Sequence, residues 1–318
     1  MRLLWAQETG ESADVGPGVR LGYDAGDRGE AFAVLEVRES TVFGAGGAGA
    51  EAERVLVVAK VALMQSFIGI DMAWNIEENH SGVAALVGDV AQVRLDAVSS
   101  GVTSMVGIVE FVQVHVARDA VVAIDASLVV KNETGQRPCE TEIAMEFGKY
   151  HASCHTSNLG RPYATTGMGL VQELSQEGFR HDFQLEQAKQ KAGRWIFEVY
   201  PHPAMVRLFH LDRIIKYKKG AVLQKRTGLA KYRSHLQALT AGSSGLVGSA
   251  VFDGLMAQEL TELRGEALKR YEDTLDAVFC GYLAWHCWRW GEERNQQFGK
   301  LEEGYIVVPK EPSAAPAA

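Results

Sequence analysis

The sequence has few cysteines and no long apolar run. Its four cysteines follow no regular spacing, which excludes a secreted scaffold held by disulfides and predicts reduced thiols. No stretch reaches the roughly 20 uninterrupted apolar residues of a membrane span. The first residues also lack the short basic region and compact apolar core of a secretory signal. We therefore expect a cytoplasmic protein without a membrane partner.

An excess of positive charge is also absent. The formal net charge of -8 excludes a generally basic nucleic-acid coat, although a local basic patch remains compatible with it. With 47% hydrophobic residues, the chain has enough apolar side chains for a sizeable core.

The two ends of the chain differ in composition from the part between them. The segment to about Lys60 is rich in Gly and Ala, as in "FGAGGAGAEAE", and predicts a loosely ordered extension over residues 1–62. Met64 stands directly before the first strong strand pattern and could be the true start of the chain. The main domain is expected over residues 63–308, and the Pro/Ala-rich residues 309–318 predict a disordered tail.

Between the ends, the apolar pattern predicts an α/β fold. Three strand candidates joined by short connections, "SFIGIDMAW", "SGVAALVGD" and "AQVRLDAVSS", indicate an antiparallel meander. A helix, a strand at "AVVAIDASL", a mixed region, a strand at "RWIFEVYPHP" and further helices follow, the last from about Gln258 to Trp290. This order predicts a ribonuclease H-like fold: a mixed five-stranded sheet, three antiparallel strands and then two parallel ones, flanked by helices.

Acidic residues stand where these elements end. Asp71, Asp125 and Glu198 each close an apolar strand, and Asp273 and Asp276 share one side of the last helix. A single acid at a strand end is commonly explained by helix capping, but these acids are expected to meet at one mouth. Such a cluster repels itself unless it is protonated or bridged by cations, and carboxylate oxygens suit Mg²⁺ or Mn²⁺. The small residues that continue this side of the helix, such as Cys280 and Ala284, would let it lie close to the sheet.

Five motifs together resemble the domain of unknown function 429 family, described as predicted ribonuclease H-like nucleases of the RuvC/YqgF group. They are "FIGIDMAW", "AIDASL", "NETGQRPCE", "FEVYPHP" and "DTLDAVFCGYLAW", and the resemblance runs from about Ser66 to Gly291. It implies that Asp71, Asp125, Asp273 and Asp276 bind catalytic metal ions. RuvC-like enzymes usually have Glu where this chain has Asp125, and Glu198 is a fifth catalytic candidate that could compensate.

Two further residues are candidates for substrate binding near the same mouth. Arg137, in the loop after the fourth strand, could grip a phosphate or pair with Glu140 or Glu142. His202 in "EVYPHP" could assist proton transfer or cap the following helix.

A basic run without acids lies between Lys216 and Arg233, in "KYKKGAVLQKRTGLAKYR". Lys216, Lys218 and Lys219 are candidate contacts to a nucleic-acid backbone, with Tyr217 and Tyr232 available for stacking. The alternative is a plain solvated face. Trp285, Trp288 and Trp290, which crowd the end of the last helix, are expected in the core or in a homodimer contact.

These residues favour a metal-dependent nuclease that cleaves DNA or RNA by a two-metal carboxylate mechanism. A nucleotide-binding or phosphotransferase protein of the related actin and sugar-kinase folds is a second hypothesis, but "DMAWN" after the first strand lacks the Gly-rich phosphate loop. A non-catalytic module that binds nucleic acid or nucleotides is the third.

Overall fold

The computed structural model describes residues 13–14, 19–25, 31–37, 57–59 and 64–311. The chain divides into two compact units, Met1–Leu63 and Met64–Ala318. In the first unit, antiparallel pairing joins neighbouring strands in the order β1-β2-β3-β4. These strands are β1 (Ala13–Asp14), β2 (Val19–Ala25), β3 (Ala31–Val37) and β4 (Val57–Ala59). The loosely ordered extension stays a prediction, and residues 312–318 of the expected tail lie outside the described residues.

A mixed six-stranded sheet is the centre of the second unit, with strand order β10-β7-β6-β5-β8-β9. The strands of this unit are β5 (Gln65–Asp71), β6 (Ser81–Gly88), β7 (Val93–Val102), β8 (Ala120–Asp125), β9 (Arg194–Glu198), β10 (Leu246–Val247), β11 (Asn295–Lys300) and β12 (Gly304–Pro309). The helices are α1 (Met105–His115), α2 (Pro138–Phe147), α3 (Thr166–Gln176), α4 (Pro201–Leu208), α5 (Val222–Ala238), α6 (Ala250–Met256) and α7 (Gly265–Trp290).

Strand directions agree with the expected order. The strands β5, β6 and β7 are antiparallel, whereas β8 pairs in parallel with both β5 and β9. This arrangement is consistent with the ribonuclease H-like plan. The sheet has one strand more than the five expected, because the two-residue strand β10 adds in parallel to the edge of β7. A strand that short leaves no periodic signal in a sequence.

Helices cover both faces of the sheet. Ile68 and Ile70 of β5 pack with Ile108 and Val112 of α1 in one apolar cluster. Phe67, on the other face of the same strand, belongs to a second cluster that includes most of the apolar residues of α7. The alternation of side chains along β5 therefore supplies two cores, one on each side of the sheet.

The helix α7 lies against the sheet at unusually short range. A Cβ atom added to Gly69 of β5 would overlap the carbonyl oxygen of Ala277 and the backbone nitrogen of Gly281. The close approach expected from the small residues of this helix is therefore present, and glycine on the facing strand also contributes to it.

Two features at the end of the domain differ from the expectation. The closing helix begins at Gly265 rather than near Gln258. The hairpin of β11 and β12 was not expected, because "NQQFGK" lacks the apolar alternation of a typical strand.

Trp285 is fully buried, and its Nε1 donates to the carbonyl oxygen of Asp89 at 2.8 Å. In the described part of the chain, no helix combines the length and apolar character needed to cross a membrane.

Candidate active site

Two neighbouring parallel strands place two aspartates side by side. Asp71 is the last residue of β5, Asp125 is the last residue of β8, and the two are paired in register. Adjacent strands lie about 4.8 Å apart, and residues in register point to the same face of the sheet. Both side chains are partly exposed at the carboxyl edge of the sheet.

The helix α7 brings two more acids to this edge. Asp273 and Asp276 are 1% and 0% exposed, respectively, although both are charged residues in a helix. The pKa values of the two strand acids reflect the proximity of these helix acids. Burial raises the pKa of Asp125 well above its usual value, and the carboxylates of Asp71 and Asp276 raise it further. The structure thus collects Asp71, Asp125, Asp273 and Asp276 in one cluster, which we call the acid cluster.

Asp273 also takes part in the repulsion within the acid cluster. Burial, followed by the carboxylate of Asp71, raises the pKa of Asp273 to about 8. Its Oδ2 atom is buried and, among the described residues, has no hydrogen-bond partner. An unpaired buried carboxylate oxygen is costly, so this atom is a point at which a cation would be stabilised.

Two lysines already supply positive charge to the acid cluster. Lys218 Nζ lies 2.8 Å from Asp276 Oδ2, and the Tyr217 hydroxyl donates to Asp276 Oδ1 at 2.8 Å. Burial lowers the pKa of Lys218, but the carboxylates of Asp276, Asp71 and Asp125 outweigh burial and hold that pKa well above its usual range. On the solvent side, Lys269 Nζ donates to Asp273 Oδ1.

Glu198 ends β9 but is engaged in a different interaction. Its two carboxylate oxygens accept from Arg137 Nη1 and Nη2 at 2.9 and 2.6 Å, and Oε2 also accepts from the backbone nitrogen of Leu128 at 2.9 Å. The described structure therefore gives no support to Glu198 as an additional metal ligand.

Arg137 is 1% exposed, so the structure places it inside the domain rather than at a phosphate-binding surface. Its Nε donates to Glu140 Oε1 at 2.8 Å, and its Nη1 also donates to the carbonyl oxygen of Val129 at 3.1 Å. Burial lowers the pKa of Arg137, but the Glu198 carboxylate outweighs that effect, so the guanidinium stays charged. Of the two alternatives that the sequence left open, pairing with Glu140 is the one observed.

His202 lies in a stack of aromatic rings beside the acid cluster. Its ring centroid is 5.5 Å from that of Tyr200 and 5.7 Å from that of Tyr217. Burial, with a contribution from the Lys218 ammonium, lowers the pKa of His202 to about 4. The imidazole is therefore neutral at physiological pH.

The basic run divides into exposed and buried residues. Lys216 and Lys219 are exposed, which fits a contact to a nucleic-acid backbone and a plain solvated face equally, whereas Lys218 turns into the acid cluster. Tyr217 and Tyr232 are both 0% exposed. The expectation that these tyrosines could stack on bases is wrong, because both rings are enclosed in the core.

Comparison with known families gives one match. The model of a family described as "Protein of unknown function (DUF429)" matches residues 69–302. The chain belongs to this family. The match begins in β5, ends between β11 and β12, and so contains every member of the acid cluster of this DUF429 protein. Neither a search of curated proteins nor a search of solved structures found a match.

Sequence reasoning missed two residues around the acid cluster, Lys269 and Glu272, and the direction of a third, Lys218. Lys269 stands four residues before Asp273, and this helical spacing was a signal that could have revealed the pair. Glu272 is 2% exposed and lies 3.2 Å from Lys269 Nζ. The inward direction of Lys218 had no local signal, because it depends on how its loop packs.

The donor atoms of the acid cluster fit a hard divalent cation. All are carboxylate oxygens, and Asp273 Oδ2 has no other partner in the described structure. Among the described residues, however, no three His, Cys, Asp or Glu side chains already form a ligand group around one point. A cation would therefore require movement of these side chains and of the lysines that neutralise them.

Proposed function

We propose that this protein is a nuclease that uses Mg²⁺ or Mn²⁺ to hydrolyse phosphodiester bonds of DNA or RNA in a ribonuclease H-like domain. The observation that carries the proposal is the meeting of four carboxylates from three elements at the carboxyl edge of the sheet. Burial and the neighbouring carboxylates raise the pKa values of Asp71, Asp125 and Asp273, and a divalent cation is the counter-charge that this donor set favours.

The residues of the chain have separable roles in this proposal. Asp71, Asp125, Asp273 and Asp276 would hold the cation. Mg²⁺ or Mn²⁺, when bound, supplies activation of water and stabilisation of charge at the leaving oxygen. In the hydrolysis, the water oxygen bonds to phosphorus, the bond to one sugar oxygen breaks, and that oxygen takes a proton. The exposed ammonium groups of Lys216 and Lys219 would contact backbone phosphates.

Arg137 and Glu198 are positioning residues in this proposal. Their pairing joins the end of β9 to the beginning of α2 and fixes the chain after Asp125 through the bond to Leu128. Tyr217 has a similar role, since it orients Asp276 through Oδ1.

The test combines cleavage with thermal stability. Wild type should cleave at least one member of a panel of single-stranded, duplex, branched and hybrid substrates when Mg²⁺ or Mn²⁺ is added. The same cations should raise its Tm, because a ligand bound by the folded state alone contributes about 2.7 kcal/mol at one hundred times its Kd. Asp71→Asn and Asp125→Asn should abolish both the cleavage and the rise in Tm.

Asp212→Asn is the matched control, since Asp212 is exposed and lies outside the acid cluster. It should cleave like wild type and keep the thermal response. Without metal, Asp71→Asn should be as stable as wild type or more stable, because it removes one repelling charge. Normal cleavage by Asp71→Asn and Asp125→Asn would contradict the nuclease mechanism.

A non-catalytic binding module is the second candidate, and the Lys218–Asp276 pair favours it. In that case the lysines are permanent counter-charges. Lys218→Met would then be less stable than wild type, and Mg²⁺ would not restore the stability. In the nuclease, Lys218→Met should show a larger rise in Tm with Mg²⁺ than wild type does, because the acids lose an ammonium that neutralises them.

A further inference from the structure

A cavity of about 300 Å³ opens directly beside the acid cluster. Met72 and Ala73, which follow Asp71, form one side of it, and Ala126 and Ser127, which follow Asp125, form another. The two strands that end in acids therefore continue into the wall of this cavity. Its volume is at the lower end of the range for ligand pockets, about 300–1,000 Å³, so it suits one ring system rather than a helix of nucleic acid.

Two exposed aromatic side chains line the cavity. Trp74 is 59% exposed and Tyr163 is 51% exposed, and within residues 64–311 every other Phe, Tyr or Trp is buried or partly buried. The His155 ring meets the Trp74 ring edge-on, with centroids 5.3 Å apart. Large aromatic rings are normally covered, so their concentration at one cavity favours a ligand with a flat, apolar face.

Hydrogen bonds and close backbone contacts fix the walls of this cavity in the absence of a ligand. Thr166 Oγ1 donates to the Trp74 carbonyl oxygen at 2.9 Å, and Asn75 Nδ2 donates to the Tyr163 hydroxyl at 3.1 Å. The backbone of Tyr163 has a φ of 64°, a left-handed conformation that a bulky residue adopts at a cost. Gly167 lets α3 approach the chain after Asp125, because a Cβ there would overlap the Ser127 carbonyl oxygen.

Polar groups in the cavity could recognise the edge of a heterocyclic ring. Arg161 and Thr156 line it, and the hydroxyls of Ser127 and Ser157 share a hydrogen bond of 2.7 Å. A few polar groups among aromatic walls are typical of a pocket that fixes the orientation of a planar ligand. Base stacking on aromatic rings with hydrogen bonds at the base edge combines these contacts.

We propose that this cavity holds the base of one unpaired nucleotide beside the phosphodiester that the acid cluster would cleave. The position of the scissile bond rests on the proposed nuclease function, whereas the binding of a base does not. Bases in a duplex are stacked inside it and cannot reach the cavity. The substrate class is accordingly single-stranded nucleic acid, or a nucleotide turned out of a duplex.

Binding without cleavage tests this proposal. The probe is a fluorescently labelled single-stranded 12-mer, as DNA and as RNA, and anisotropy is measured in EDTA. Trp74→Ala and Tyr163→Ala should each raise Kd roughly 5- to 100-fold, the effect expected for loss of one base-stacking contact. Trp74→Phe should retain most of the affinity. Met145→Ala, which removes an 82% exposed apolar side chain of α2 outside the cavity, should bind like wild type.

An oligonucleotide that lacks its bases separates base recognition from backbone attraction. The wild-type protein and Trp74→Ala should bind this abasic 12-mer with the same affinity. No binding of the single strand by wild type, or equal binding by wild type, Trp74→Ala and Tyr163→Ala, would overturn the proposal. If no substrate is cleaved under any condition but these affinities differ as expected, the nuclease function fails and the base pocket remains. If Trp74→Ala still cleaves and binds the single strand as wild type does, the base pocket fails and the nuclease function stands.

Discussion

At the scale of single residues, the domain handles buried charge in two different ways. Arg137, Glu198 and Glu140 form a closed group with satisfied hydrogen bonds, whereas Asp273 keeps a buried oxygen without a partner in the described structure. A satisfied pair contributes to structure, and an unsatisfied group at a partly exposed edge is typical of a binding site. This contrast distinguishes Glu198, which has a structural role, from the acid cluster, although Glu198 ends a strand just as Asp71 and Asp125 do.

His286 is a residue whose burial makes stability depend on pH. It is 6% exposed, and its Nδ1 lies 2.8 Å from Asn295 Oδ1. Asn295 Nδ2 donates to the Gly291 carbonyl oxygen at 2.7 Å, so Oδ1 faces the imidazole and accepts its hydrogen. Burial, aided by the nearby Arg294 and Arg289 and opposed by the hydrogen bond to Asn295, lowers the pKa of His286 to about 4.

We predict that His286→Asn flattens the acid side of the stability profile. With a lowered folded-state pKa, the unfolded chain binds more protons between about pH 4 and 6.5, so stability present above pH 6.5 is lost as the pH falls. The free energy of unfolding of wild type should fall relative to the variant by at most about 1.4 kcal/mol per pH unit. Urea unfolding of both proteins measures this difference, which should be constant above pH 7. A constant difference down to pH 4 would contradict the assignment.

At the scale of elements, the contact of α7 with β5 determines where the acids of the helix stand. The helix backbone rests directly on Gly69, two residues before Asp71 in the same strand. The distance between the strand acids and the helix acids is therefore set by the absence of a side chain at position 69.

We predict that Gly69→Ala lowers the free energy of unfolding by about 3 kcal/mol or more, because the added methyl group overlaps backbone atoms that cannot rotate away. Gly254→Ala is the matched control: it lies in α6 with no atom near the added Cβ, and alanine should stabilise that helix by about 0.5–1 kcal/mol. Chemical denaturation measures both changes. Equal stability of Gly69→Ala and wild type would show that the helix can move away from the sheet without cost.

The sequence predicts the elements of this site better than its contacts. Strands β5 and β8 are recognisable because an apolar run ends in an acid, and α7 because its acids and small residues share one side. The pairing of Arg137 with Glu198 spans 61 residues and depends on how β9 meets α2, so no local pattern indicates it. The same is true of Trp74 and Tyr163, which come from two loops that only the fold brings together.

At the scale of the whole molecule, the second unit holds everything on which the proposed function depends. The boundary between the two units falls between Leu63 and Met64, and the family match begins at residue 69. The sheet, its two cores and the acid cluster all belong to residues after this boundary.

We predict that a chain beginning at Met64 folds by itself. Its Tm should lie within about 4 °C of the full-length value, which corresponds to roughly 1 kcal/mol for a domain of this size. Thermal unfolding followed by circular dichroism checks this. A second truncation that begins at Asn79 removes β5 from the middle of the sheet and should not fold. A large loss of Tm or of cooperativity in the chain that begins at Met64 would show that the first unit is required.

The buried group of Arg137, Glu140 and Glu198 also restricts how this protein can evolve. Both carboxylates pair with the one guanidinium, and all three residues are buried. Loss of Arg137 alone leaves two carboxylates inside the domain without their cation, at a cost of about 3–5 kcal/mol, whereas exchange of all three residues for apolar ones can be nearly neutral. A lineage can reach the apolar set only through intermediates that are less stable than either end point. The effect of a mutation at position 137 therefore depends on which residues already stand at positions 140 and 198, and descendants of this protein should keep all three residues or lose all three.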